Sequence, residues 1–498
     1  MNTFKKKSLH AAVLAGLGAL TVAGSANAVH IDPDGLGQVL IFPYYTVRGG
    51  NVTTLSVINT TSQTKGVKVR FLEGRASREV LDFNLWLSPQ DVWTGAVVAT
   101  ADGARLISND NSCVTPSDLF QELRPGLNDF KNIVYATTDY SIHGATLDRS
   151  REGYFEVIEM GVVTSPVITG FIKHDAAGLP NNCVALDTFD GLSISNPPEG
   201  LFSNTNLLGN PTGGLAGRSS VINATNGSNY TLMPTAIAAW RVAPAIIPPP
   251  SVVTYSASGS VLPDLGAVTP LTTNVFVSGG VQTATWANGA NAMSAILMRD
   301  TVINEFILDA GTRSATDWIV TQPTKRLHVL PLSATPPYTF GYNSGNGGCE
   351  PYNVGVYDRE ERAPGGPSNV ILPSPRPSVQ VTGSALCWEA SIVPFQGASL
   401  LGSTNASPLT SNLLTFVGGA TTTKGPKGTP SLAATQGPNG WFFMSFSGFP
   451  NRTITPLTGL PHTGLPVIGA MLNNYVNTAT AGSLYGSVAP HHYTRLIQ

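Results

Sequence analysis

This sequence predicts a mainly β chain, built as two antiparallel β-sandwich-like domains with long Gly/Asn/Pro-rich loops and a few short helices. Three observations predict it. Between Val67 and Val98 the apolar residues keep a period of two: Val67, Val69 and Phe71 share one face, and Leu81, Phe83, Leu85 and Leu87 share another, with Asp82, Asn84 and Trp86 opposite. Neighbouring side chains on an extended backbone point to opposite sides of a sheet, so this alternation marks half-buried strands. Gly and Pro number 52 and 37, while charged residues make up 12% of the chain, about half the usual share. The hydrophobic share of 42% is ample for a core, which separates this composition from that of a disordered chain.

The elements follow in order. Residues 1–28 carry Lys5, Lys6 and Lys7, the apolar run Ala11 to Val22, and the small-x-small site Ala26-Asn27-Ala28. That is the pattern of a secretory signal peptide, with an apolar run too short for a spanning helix of about 20 residues. Cleavage there leaves a mature chain from Val29 with 25 basic against 30 acidic residues, a net charge of −5. Nucleic acid, which needs a concentrated basic face, is not an expected partner. In an exported chain Cys113, Cys183, Cys349 and Cys387 read as two disulfides, and of the three connectivities the pairing within each half is preferred. No CxxC occurs, so neither zinc nor thiol exchange is indicated.

After the leader, Asp32 and Asp34 with Gly35 stand at the spacing that opens many calcium loops, although no acidic group follows at the required distance. The same Pro33-Asp34-Gly35 is a turn former; a turn is the first reading and calcium the alternative. The stretch Gly37 to Val47 is strand-like but holds Pro43, which calls for an edge or a bend. With Val52 to Asn59 and the run to Val98 it reads as a meander with one packed and one wet face. Pro116 to Leu123 reads as a short helix capped by Ser117. Ile133 to Tyr135 and Gly153 to Met160 read as strands, and Leu186 to Asn229 as long surface loops where binding would sit. The prolines of 245–252 mark a linker between domains at 29–244 and 253–498. Beyond it come a strand at Thr272 to Gln282 and a helix at Asn291 to Arg299. Further strands are expected at Val302 to Leu308, Asp317 to Thr321, Arg326 to Leu330, Glu389 to Val393 and Gly440 to Phe446.

Catalytic signatures are sparse. No Gly-x-Ser-x-Gly elbow occurs. Adjacent His491 and His492 point to opposite faces of a strand, and Glu156 and Glu159 do the same, which suits neither shared metal ligation nor a glycosidase pair. Trp86, opposite the apolar row of its strand, either meets a second layer or stands exposed to recognise carbohydrate or protein. An outer-membrane barrel would share the alternation, but the cysteines and the polyproline break oppose it.

Four stretches carry a resemblance: VKVRFLEGRASREVLDFNLWLSPQDVW from Val67, ILDAGTRSATDWIVTQPTKR from Ile307 to Arg326, YDREE from Tyr357 to Glu361, and LCWEASIV from Leu386 to Val393. Together with the leader they resemble a family of exported proteobacterial proteins described only as cell-surface or hypothetical. The resemblance implies an envelope address and brings no catalytic or binding residue. The expectation is a secreted or cell-surface, non-catalytic protein with a structural, adhesive or binding role at the bacterial envelope, the periplasm being an alternative address. Its partner would be itself, another envelope component or an extracellular polymer, with no transmembrane helix in the mature chain and no cofactor other than calcium. The alternative is a secreted hydrolase or carbohydrate-binding protein acting on an extracellular polymer.

Overall fold

The computed structural model describes residues 28–121, 125–136, 143–191, 207–241, 255–269, 271–309, 311–344, 347–359, 384–407, 409, 439–477, 480 and 483–498. The expected leader, save Ala28, and the whole 245–252 linker lie outside them. Antiparallel sheets dominate, as the alternation requires. An eight-stranded sheet runs in the order His30–Ile31, Thr235–Ala238, Val39–Thr46, Glu152–Val163, Lys65–Glu73, Glu79–Leu87, Cys113–Thr115, with Leu208–Gly209 also paired to Glu152–Val163. A five-stranded sheet runs Ser228–Leu232, Leu215–Asn223, Val52–Asn59, Val92–Ala99, Ala104–Ile107.

These two sheets close on Leu40, Phe42, Val69, Phe71, Phe83 and Phe155 from one side and Leu55, Val57, Trp93, Val97 and Leu106 from the other. Phe42 and Phe155 stack at 4.2 Å. The run is not a single meander: Lys65–Glu73 with Glu79–Leu87, and Val92–Ala99 with Ala104–Ile107, pair as neighbours, but the chain changes sheet between these pairs and at the 3-10 turn Arg48–Gly50. Pro43 lies inside a central strand, accommodated by a register shift between Phe42 and Tyr45.

The second half repeats the plan with two four-stranded sheets. One runs Ala390–Pro394, Ala315–Thr321, Ile468–Val476, Leu484–Pro490; the other runs Asn353–Asp358, Asn439–Ser445, Thr301–Ile307, His492–Thr494. Trp318, Val320, Val393 and Met471 meet Val302, Phe306, Val354, Phe442 and Met444 between them.

The two sandwiches are fused by a third core. Val39, Ile41, Tyr154 and Ile158 leave the far face of the eight-stranded sheet and pack with Ile319, Ile392, Ala470 and Leu472, together with Trp240, Trp286 and the helix Gly289–Leu297. Four sheets are therefore stacked on three apolar layers, and each central sheet sends alternate side chains into two cores. The face expected to be wet is dry. Strands Lys65–Glu73 and Glu152–Val163 are buried almost throughout. Polar positions of Lys65–Glu73 and of the neighbouring Glu79–Leu87 are covered by a strap at 255–265: Lys68 Nζ donates to the Ala257 carbonyl at 2.6 Å, Arg70 to that of Pro263 at 3.3 Å, and Asn84 to that of Ser256 at 3.1 Å.

Local elements differ from the expected ones for identifiable reasons. Pro116 to Leu123 holds turns instead of a helix over its described residues, because the Ser117 hydroxyl donates to Asp187 at 2.7 Å rather than capping. Ile133 to Tyr135 is also a turn, and Arg326 to Leu330 begins as the 3-10 turn Lys325–Leu327. Thr272 to Gln282 is a hairpin, Thr272–Val277 with Gly280–Thr285. The helix expected from Asn291 starts two residues earlier, since Asn288 accepts from Asn291 N, and Met298–Arg299 is drawn into pairing with Leu465–Pro466. Helices Pro166–Ile172 and Val184–Asp190, seven residues each, are too short to show a helical period.

Candidate binding face

The solvent side of the five-stranded sheet is built by the same period of two that fills its core. With Leu55, Val57, Trp93 and Val221 turned inward, Thr54, Ser56, Thr94, Arg218, Ser220 and Thr231 turn out. Register aligns them into rows: Thr54 lies opposite Ser220 and Ala96, Ser56 opposite Arg218 and Thr94, and Ser220 opposite Thr231. The Ser220 and Thr231 hydroxyls are 2.9 Å apart. These side chains, with Asn229, Ile107 and Asn109, line a trough of about 590 Å³. It continues through Thr94 and Asn109 into a second hollow of about 460 Å³ lined by Asp91, Asp110, Asn111 and His174.

The two ends differ in charge. Arg218 is exposed, and among the described residues its guanidinium has no hydrogen bond or ion pair. At the other end the carboxylates are tied into turns: Asp110 accepts from Thr94 N at 3.0 Å and Ser112 Oγ at 2.7 Å, and Asp91 from Ser88 N at 3.0 Å. His174 Nδ1 stands 3.9 Å from Asp91. Hydroxyls and amides that both donate and accept, one guanidinium, and a short apolar patch at Ile107 and Ile222 can hold a flexible, hydroxylated chain by many exchangeable hydrogen bonds.

No family model, curated protein or solved structure matches this chain.

The residues singled out from sequence lie elsewhere. Trp86 meets a second layer: it is fully buried, donates Nε1–H to Thr115 Oγ1 at 3.2 Å and stacks on Tyr255 at 6.5 Å, so it is a core residue rather than a binding one. Cys113 pairs with Cys183 and Cys349 with Cys387, one bridge within each half. Asp32 Oδ1 accepts from Asp34 N at 2.8 Å and Leu36 N at 3.3 Å and so closes a turn. Among the described residues no group of three or more His, Cys, Asp or Glu is placed to hold a metal ion, there or elsewhere. The Leu186 to Asn229 stretch, expected as loops, contributes Arg218, Ser220, Ile222 and Asn229 to the trough from strands, and its residues 192–206 lie outside the described ones. The trough has one legible signal: the outward polar positions of Val52–Asn59, Thr54 and Ser56, are hydroxyls rather than charges.

The strongest titratable cluster is interior. Glu389, fully buried, accepts from Ser77 Oγ and Tyr342 OH. Burial pushes its carboxyl up to about 8, against the pull of Tyr342, Arg326 and Lys325. Burial pushes the Lys325 ammonium down to about 8; it donates to the carbonyls of Gly348 at 2.8 Å and Cys387 at 3.0 Å. Glu156 joins Arg70 at 3.4 Å and Arg326 at 3.1 Å. Side chains from both halves meet here, so the cluster ties the sandwiches together.

Proposed function

We propose that this is an exported, non-catalytic binding protein of the bacterial envelope, whose five-stranded sheet holds an extended, hydroxylated extracellular polymer in its trough. The observation that carries the reading is the continuous outward trough, whose polar lining at its centre is hydroxyl, amide and a single guanidinium. Two disulfides suggest an oxidising environment, and no helix among the described residues is long and apolar enough to cross a membrane. The resemblance to exported proteobacterial surface proteins supports the same address. Binding of the native, oxidised protein to a panel of polysaccharides tests the ligand. An Arg218→Ala, Thr54→Val double variant is expected to weaken retention about tenfold or more, as loss of a charge-assisted and a neutral hydrogen bond implies. Unchanged retention, or no polysaccharide bound at all, sinks the trough as a site. Fractionation with surface proteolysis tests the address; a reduced protein in the cytoplasm overturns it.

A further inference from the structure

The outermost sheet at the other end of the stack has a face of different chemistry. With Phe442, Met444 and Phe306 turned into the core, alternation sends Trp441, Phe443 and Tyr357 outward. Register places Tyr357, Trp441 and Glu305 in one cross-strand row and Gly355, Phe443 and Ile303 in the next. Tyr357 and Trp441 lie 4.8 Å apart with planes 19° from parallel; Trp441 and Phe443 lie 5.8 Å apart at 31°. A Cβ on Gly355 would stand 2.0 Å from the Phe443 ring, so only glycine lets that ring lie down over the neighbouring strand. The outcome is a continuous aromatic surface, with Trp441 still 41% exposed.

Beside it stands a lone charge. Glu305 is exposed, directly opposite Trp441, and among the described residues its carboxylate has no hydrogen bond or ion pair. Aromatic faces carry negative quadrupole potential, so ring and carboxylate favour the same sign of ligand. We propose that this face binds a polysaccharide containing non-acetylated amino sugars. The flat C–H face of a pyranose stacks on the rings, while its ammonium group faces Glu305 and the indole. An anionic polymer is repelled by Glu305. A lysine side chain would satisfy the charge but leave the aromatic surface uncovered. The site is independent of the trough, which lies on the opposite outer sheet and offers a guanidinium in place of a carboxylate.

Calorimetry on the full oxidised protein decides the matter, with glucosamine oligomers, their N-acetylated counterparts and malto-oligosaccharides as probes. The glucosamine oligomer is expected to bind best. Trp441→Ala should abolish its binding, and Glu305→Gln should lower its affinity by about tenfold while leaving any binding of the acetylated oligomer unchanged. Arg218→Ala should have no effect, which separates this face from the trough. Glu305→Gln is isosteric and exposed, so its result stands even where Trp441→Ala fails to fold. No binding of glucosamine oligomers, equal affinity for the acetylated form, or indifference to Glu305→Gln overturns the proposal.

Discussion

Glu389 shows how far one residue departs from its ordinary chemistry. Burial raises its carboxyl to about 8, so near neutral pH the folded protein holds a proton that the unfolded chain has released. A raised pKa contributes stability that is complete below about 4.5 and is lost as pH rises through about 8, with a slope near 1.4 kcal/mol per pH unit. The buried His328 and His462 act in the opposite sense. Burial lowers each to about 4, so their contribution is present above about 6.5 and is lost as pH falls through 4. The difference between wild type and Glu389→Gln isolates the carboxyl: urea midpoints from pH 5 to 8 should show the wild type losing stability relative to the variant. Parallel curves would show that Glu389 is ionised in the folded protein. Ser77 bears the geometric cost of the contact, sitting at φ +50° in its turn while its hydroxyl donates to Glu389.

Among the elements, the 255–265 strap marks the limit of what local sequence makes legible. Period two correctly marked the strands from Val67 to Val98, because alternation records which side chains face the inner core. It could not record what covers the other face. Lys68, Arg70, Asp82 and Asn84 read as wet because charged and amide side chains normally are; here their partners come from nearly two hundred residues downstream. The aromatic surface has a partial signal in GWFFMSF, which marks a strand; that one face of it is an exposed aromatic surface depends on Gly355 and Glu305, neither of which is its neighbour in sequence. The trough was hidden by its composition, as Thr and Ser fit a strand surface without announcing a ligand. The strap itself hangs on Asp190, which accepts from Asn84 Nδ2 at 2.5 Å, Ser258 N at 3.1 Å, and the hydroxyls of Tyr255 and Ser258. An acidic residue at the end of helix Val184–Asp190 opposes the helix dipole, so its place is explained by these donors rather than by the helix. Asp190→Ala, leaving several buried donors unmet, should cost about 2–3 kcal/mol and speed hydrogen exchange across 255–265. Exchange unchanged in that segment would show that the strap is held otherwise.

At the scale of the whole molecule, the sheet pair of the first half and the sheet pair of the second pack on a shared core. The third core, the Arg326–Glu156 ion pair and the hydrogen bond from Ser77 to Glu389 join them, and residues 399–405 reach back to the first half, where Thr404 N donates to Glu152 at 3.0 Å and the Leu401 carbonyl accepts from Asn51 at 3.2 Å. Calorimetry should therefore show one cooperative transition, and residues 29–241 made alone should bind a hydrophobic dye strongly. Two resolved transitions would show that the halves fold as independent domains.

The order in which the chain appears gives the charged strap face a further meaning. Asn51 and Leu401 are 350 residues apart. At synthesis rates of about 5–20 residues per second, the first sandwich waits roughly 20–70 s for that partner. An apolar face left bare for so long would recruit other chains. The part of the junction face that carries Lys68, Asp82, Arg70, Glu79 and Glu156 begins with its own ion pairs and stays hydrated until the strap and Arg326 arrive, which confines the bare apolar area to the patch around Val39, Ile41, Tyr154 and Ile158. Buried ions bring little net stability over apolar residues of the same shape, so their use at this junction is best understood in time: they keep an unfinished protein soluble.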